Sequence, residues 1–232
     1  MTRHRRPSPD VRALGASLCH VLAATASVLF AACSSLPDAA DPASDAPEHR
    51  TPASTALPQP PSYAAALRSW RSADDINAWI RSSFRYDGAR ALLLSETQRN
   101  RGSRLPIHAP EPFFDAPSGV CVDLARFAVE TLHAIDPPSR PAYVMIEFAP
   151  VTMAGNTLRR HWVVSFERDG MRYFFADSKR PGHLAGPYRT TQDFIDDYAR
   201  YRGRTIVSYR ELESYERKMR TRAPRQAGAT IE

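Results

Sequence analysis

The stretch Ser118-Gly119-Val120-Cys121-Val122-Asp123-Leu124-Ala125 reads as a turn that runs straight into a helix. Apolar residues continue as Ala128, Leu132 and Ile135, so Cys121, Leu124, Ala125 and these three share one helical face. Pro137-Pro138 ends the pattern, because proline can neither donate the next hydrogen bond nor fit against the preceding turn. With Ser118 as N-cap, Cys121 falls at the third helical position. There the unpaired N–H groups and the helix dipole favour an anion. Downstream, β-prone runs occupy 142–148, 161–167 and 171–176, with Arg168-Asp169-Gly170 as a hairpin signal between the last two. A further helix starts at Thr190 or Thr191, carries Phe194, Ile195, Tyr198 and Tyr201, and stops at Gly203; a last strand covers 206–209.

Upstream, residues 63–71 suit a short helix. Ser72-Ala73-Asp74-Asp75 suits the cap of a second, bearing Ile76, Trp79, Ile80 and Phe84. A third helix is expected over 90–97. Residues 99–117, with Pro106, Pro110, Pro112 and Pro117, read as one long irregular loop, and such loops inside compact domains are often functional. The pattern as a whole is α+β: one domain over 63–215, with helices first and then an antiparallel sheet packed on the Cys121 helix.

The N-terminus has a different logic. Arg3, Arg5, Arg6 and Arg12 precede an apolar stretch that ends Phe30-Ala31-Ala32-Cys33, which matches a secretory signal over 1–32. Small residues directly before a cysteine resemble a bacterial lipobox with Cys33 as the lipidated residue. An uncleaved anchor is the alternative, weakened by Ser17, His20, Thr25 and Ser27. Ser34-Ser35 resembles the sorting signal of lipoproteins sent to the outer membrane, facing the periplasm. Loss of 1–32 leaves 200 residues with 27 basic and 24 acidic side chains, a charge of +3 rather than the +6 of the whole chain. Nucleic-acid binding has no support once the signal is set aside. Residues 33–62 hold seven prolines among Ser, Ala, Asp and Thr and read as a disordered tether; residues 216–232 read as a charged, disordered tail.

Cys19 and Cys33 belong to the signal and its end, which leaves Cys121 as the one free thiol of an exported protein. His161 opens a strand 40 residues later and Asp177 closes the next. Cys, His and Asp in this order suit a nucleophile, its proton acceptor, and the carboxylate that orients the imidazole. A three-residue loop at 168–170 makes each facing pair sum to 338 and sets His161 opposite Asp177, with Cβ atoms roughly 4.5–5.5 Å apart. A two-residue loop shifts the register by one and separates them. Each residue alone has a plainer reading: a buried core thiol, a strand-end histidine, a turn aspartate. His108, His133 and His183 read as loop or helix-surface residues. A zinc site from Cys121, His161 and Asp177 lacks any CxxC or HxxxH pair, and no cofactor or metal is expected.

Gly119-Val120-Cys121-Val122-Asp123-Leu124-Ala125 resembles the G-x-C-x-D-x-A segment of the transglutaminase-like superfamily. His161-Trp162-Val163-Val164 resembles its His-bearing strand and Tyr173-Phe174-Phe175-Ala176-Asp177 its Asp-bearing strand, so the resemblance covers roughly residues 70–209. It implies a papain-like core, a catalytic triad at Cys121, His161 and Asp177, and thiol chemistry at amide bonds. No acidic loop of EF-hand type is seen for calcium. For the oxyanion, the backbone N–H of Cys121 is one donor, and Gln98 and Tyr86 are candidate side chains. The expected function is thiol hydrolysis or acyl transfer on peptides, proteins or peptidoglycan stems. The alternative is a catalytically silent peptide-binding module on the same fold.

Anchoring can be tested directly. Cys33→Ser should release the protein from the membrane fraction; retention of the variant with residues 1–32 intact would mark the segment as a spanning anchor.

Overall fold

Serine, threonine and aspartate caps punctuate the helices of the computed structural model, which describes residues 41, 43–48 and 59–216. Residues 1–32, expected to be a signal, Cys33 and residues 217–232 lie outside the described residues. Helix α1 (Tyr63–Ser69) is capped by Ser62 and α2 (Ala73–Ser83) by Ser72, with Asp75 closing the reciprocal capping box. A two-residue strand β1 (Arg85–Tyr86) follows. The single helix expected over 90–97 is instead two: α3 (Gly88–Leu93), capped by Asp87, and α4 (Glu96–Asn100), capped by Ser95. Leu94 closes α3, and Ser95 caps the next helix because its hydroxyl accepts from the Gln98 N–H. The irregular stretch 99–117 contains a further helix, α5 (Pro110–Asp115), with proline at its permitted first position.

Strand β2 (Ser118–Gly119) pairs in parallel with β1 and leads into α6 (Cys121–Ile135). The cap of α6 is Val120, not Ser118, so Cys121 is the first helical residue. The displacement follows from Ser118 being held in the β1–β2 pair. A 3-10 turn at Pro137–Ser139 leads into the sheet. The sheet strands are β3 (Ala142–Met153), β4 (Asn156–Arg168), β5 (Met171–Phe175), β6 (Ala185–Tyr188) and, after helix α7 (Thr191–Arg202), β7 (Ile206–Leu212). They form one five-stranded antiparallel sheet in the order β6-β5-β4-β3-β7. Strand β6 and the long β3–β4 hairpin extension were not foreseen, since neither carries a strong alternating pattern. Strand β7 runs on past the expected 206–209 to Leu212.

The sheet is buried on both faces. Tyr143, Met145, Trp162, Val164, Phe166 and Phe175 meet α1, α2, α5 and α6 on one side. Val144, Ile146, Phe148, Val163 and Phe174 meet Phe194, Ile195 and Tyr198 of α7 on the other. The central strand β4 is therefore buried without a break from His161 to Phe166, as expected for a strand covered on both faces. Among the described residues no helix is long and apolar enough to cross a membrane.

The β4–β5 register differs from the expected one. Arg168 faces Met171 and Val164 faces Phe175, so the pairs sum to 339 across a two-residue loop. Asp169 and Gly170 both have positive φ, 52° and 72°, the geometry whose twist matches a tight hairpin.

The entry to α6 sets the most exacting local constraint. A Cβ built on Gly119 would lie 2.9 Å from the Asp123 Cβ and 3.0 Å from a Phe113 ring carbon. Gly119→Ala must push the Asp123 cap or Phe113 aside and should cost about 1–3 kcal/mol. Urea unfolding of both proteins would show it; an unchanged midpoint would mean that the turn is loosely packed.

Candidate active site

Asp123 positions the thiol. Its side chain is fully buried and accepts from Arg90 Nε and Nη2, both at 2.7 Å, from the His108 N–H at 2.9 Å and from the Val120 N–H at 3.0 Å. Four donors, two of them charged, balance the cost of burying a carboxylate. A carboxylate two residues from Cys121 would by itself work against a thiolate; here its charge is matched by Arg90 and it serves as a clamp. His108 contributes its backbone, and its ring lies 6.4 Å from that of Phe113.

His161, fully buried on β4, stands between two carboxylates. Its Nε2 is 3.0 Å from Asp177 Oδ1 in a hydrogen bond. Its Nδ1 is 3.1 Å from Asp45 Oδ1, at ion-pair distance but without hydrogen-bond alignment. The observed register pairs Ile146 with His161 on one side and sends β5 out of reach on the other. What brings Asp177 back is Ala176, whose φ of 57° turns the chain out of the strand just before Asp177. The expected juxtaposition therefore exists, but by a left-handed residue at the strand end rather than by a three-residue loop. Asp177 Oδ1 also accepts from the Lys179 N–H, and Oδ2 accepts from the Tyr198 hydroxyl at 3.1 Å. The Tyr198 ring stacks on His161 with centroids 5.8 Å apart.

Cys121 is buried at the first position of α6, with its sulfur, a His161 ring nitrogen and an Asp45 oxygen all within 4.8 Å of one another. Cys121 and His161 are thus brought together, and Asp177 joins them through the imidazole. Asp45 is the residue that sequence reasoning missed. Residues 41 and 43–48, assigned by composition to a disordered tether, lie against the domain. Ser44 and Ala46 are buried, and Arg202 Nη2 donates to Ser44 O at 3.1 Å and to Asp45 Oδ1 at 2.9 Å. The one available signal was charge: Asp41, Asp45 and Glu48 fall within eight residues that hold no basic side chain.

The electrostatics are those of a buried ion cluster. Burial works against a charged imidazole, but Asp45, Tyr198 and Asp177 outweigh it and hold the His161 pKa well above its ordinary value. Burial alone would raise the Asp45 carboxyl; His161 and Arg202 bring it down to about 2. Asp177 is driven lower still by His161, Arg202 and Arg180, against the same desolvation. Burial pushes the Cys121 thiol up and Asp45 adds to this, while His161 and the Trp162 backbone pull the other way. Asp45, Cys121 and His161 are also a donor set that a zinc-type cation could take, a different trio from the one weighed in the sequence.

A cavity of about 540 Å³ opens beside Cys121, with Asp45, Arg99, Arg160 and Trp162 in its wall. Tyr86 also lines it, whereas Gln98 donates to Asn156 Oδ1 at 2.9 Å and is committed elsewhere. Of the two candidate oxyanion side chains, Tyr86 is the one that lines the same cavity as Cys121. No family model matches the chain, and no curated protein matches it either.

The cluster makes stability depend on pH with a definite sign. A carboxyl depressed from 3.8 to about 2 stabilises the folded chain above its unfolded value and ceases to do so as pH falls through about 2. Asp177 acts in the same direction. His161, raised above 6.5, stabilises below that value and stops as pH rises through its folded pKa. All three contributions overlap between about pH 4 and 6.5. Thermal melts should show Tm falling steeply from pH 5 to pH 2. Asp177→Asn should lower Tm at pH 6 and flatten that fall, and an equally steep fall in the variant would remove Asp177 from the cluster.

Proposed function

We propose that this chain is a cell-envelope lipoprotein, anchored through Cys33, whose domain performs thiol-dependent hydrolysis or acyl transfer at amide bonds of peptides, proteins or peptidoglycan stems. The reading includes a transglutaminase-like, papain-like core with Cys121 as nucleophile, His161 as acid and base, and Asp177 as orienting carboxylate. The observation that carries it is the hydrogen bond of 3.0 Å between His161 Nε2 and Asp177 Oδ1, with the Cys121 sulfur in reach of the same ring at a helix N-terminus.

In this scheme the Cys121 thiol gives its proton to His161, and the thiolate attacks the amide carbonyl carbon. The carbonyl oxygen carries the negative charge, and the N–H of Cys121 is the donor assigned to it in this scheme. Collapse breaks the C–N bond, and His161 returns the proton to the leaving amine. Water, or an amine in a transfer reaction, then attacks the thioester with its proton passing to His161, and the thiol is restored. Asp177, kept ionised, holds the imidazole in the tautomer that faces the thiol.

One observation favours the alternative, a silent peptide-binding module: Cys121 is buried and its pKa is raised by that burial. Alkylation separates the two. An enzyme shows thiolate reactivity, in the chain itself or once Asp45 is replaced, that collapses in His161→Ala, and a binding module shows it in neither.

With a substrate drawn from periplasmic peptides and peptidoglycan stems, Cys121→Ser and His161→Ala should each lower kcat by at least about a hundredfold while the fold survives. Asp177→Asn should fall less completely, and the double variants should be far from additive. Wild-type turnover by Cys121→Ser would end the thiol mechanism.

A further inference from the structure

Segment 41–48, Asp-Pro-Ala-Ser-Asp-Ala-Pro-Glu, has three carboxylates and no basic residue. Its described residues meet a basic surface at several points. Lys179 Nζ donates to Asp41 O at 2.9 Å, and the Glu48 N–H donates to Lys179 O at 3.1 Å. The Tyr201 hydroxyl donates to Glu48, while Arg202 holds Ser44 O and Asp45. Arg204 reaches Ala43 O at 3.4 Å. The segment is also shaped locally: the Ala43 N–H donates to Asp41 Oδ1, and the Ala46 N–H to Ser44 Oγ. It forms part of the wall of the cavity beside Cys121.

The position of Asp45 matters most. Hydrolysis of an amide releases an amine and leaves the acyl half as a carboxylate beside the thiol and the imidazole. Asp45 puts a carboxylate within 4.8 Å of the Cys121 sulfur and 3.1 Å from His161 Nδ1, and the buried Arg202 guanidinium clamps its Oδ1. The seat is thus built from two buried cationic side chains on different elements, β4 and α7. The cavity wall continues the charge with Arg99, Arg104, Arg159, Arg160 and Arg204, set against Glu96 and Glu216.

We propose that the groove at Cys121 is a binding site for acidic peptides, occupied at rest by the chain's own residues 43–48, with Asp45 seated as a carboxylate product would be and shutting the site until an acidic substrate displaces it. This rests on the thiol reading of the site and names the substrate class and regulation of that same centre. In the closed state Asp45 replaces the thiolate as the anion that pairs with His161. The groups that face the pair are Cys121 from α6, Asp177 after β5, and Tyr198 and Arg202 from α7. With Asp45 withdrawn, the thiolate becomes the sole anion on the Nδ1 side among these groups, and its formation is favoured.

The test is alkylation of Cys121 by iodoacetamide in the full chain between pH 5 and 9, resolved from Cys19 and Cys33 by peptide mass spectrometry. Wild type should react slowly. Asp45→Arg, which sets a cation against Arg202 and His161, should react at least tenfold faster at pH 7, and Asp45→Asn should fall between them. The synthetic peptide Asp-Pro-Ala-Ser-Asp-Ala-Pro-Glu should slow Asp45→Arg again, and the same peptide with asparagine at its second aspartate should not. Hydrogen exchange on the wild type needs no variant: the Ala46 and Glu48 amides should be protected, and an excess of an acidic peptide should remove that protection. Fast, His161-dependent alkylation of wild type equal to that of Asp45→Arg would overturn the internal occupant and leave the thiol reading standing. Slow alkylation in both, with the near-UV circular dichroism of the fold intact, would overturn both. Acceleration of wild type by EDTA to the rate of Asp45→Arg would make the occupant a metal ion and overturn the proposal. Unprotected amides at Ala46 and Glu48 would do the same.

Discussion

The buried Asp123 carboxylate is the interaction on which the site depends. It joins four parts of the chain: Arg90 of α3, the loop at His108, the Val120 cap, and α6 itself. Each donor would be costly to bury unmatched, so each holds the others in place. Removal of the carboxylate would leave the Arg90 guanidinium buried without its anion, a change of the kind that costs about 3–5 kcal/mol. The first turn of α6 is therefore rigid, and Cys121 inherits that rigidity. Gly119 is needed for the same reason, since a larger residue would occupy the space of the Asp123 side chain.

A second constraint is charge in a dry place. His161 has no exposed surface, yet two carboxylates and Arg202 surround it. A charged imidazole is stable there because the negative neighbours outweigh desolvation. The arrangement couples elements far apart in the chain: β4 brings His161, the turn after β5 brings Asp177, α7 brings Tyr198 and Arg202, and the segment at 43–48 brings Asp45. A sheet covered on both faces by helices holds the β4, β5 and α7 members of this cluster together, since α7 cannot leave without uncovering Phe174 and Val163.

Much of the α+β pattern was legible, element by element. The α2 cap at Ser72 and Asp75, the α6 stripe and the Gly203 stop of α7 are local signals, and local signals survive folding. The boundaries were less legible. Residues 90–97 carry a helical composition, but the Ser95 hydroxyl caps a new helix and divides the run. The hairpin at 168–170 shows the limit more sharply. Its sequence admits a two- or three-residue loop, and the choice depends on whether Asp169 adopts a positive φ. The structure takes the two-residue loop, and Ala176 then supplies a turn that no propensity scale would assign to alanine.

The sequence by itself determined the helix that carries Cys121, the strand that carries His161, the order of Cys, His and Asp, and the alternation that buries a sheet. These depend on periodicity and on residue type, which are properties of neighbours in the chain. Tertiary structure alone decided that Asp177 turns back to His161, that Asp123 is a neutralised clamp, and that the Pro-rich segment lays Asp45 on the imidazole. Each of these pairs a charge with a partner from 16 to 157 residues away. Such pairings depend on desolvation and on the positions of buried cations, and both come into existence only once the core has closed.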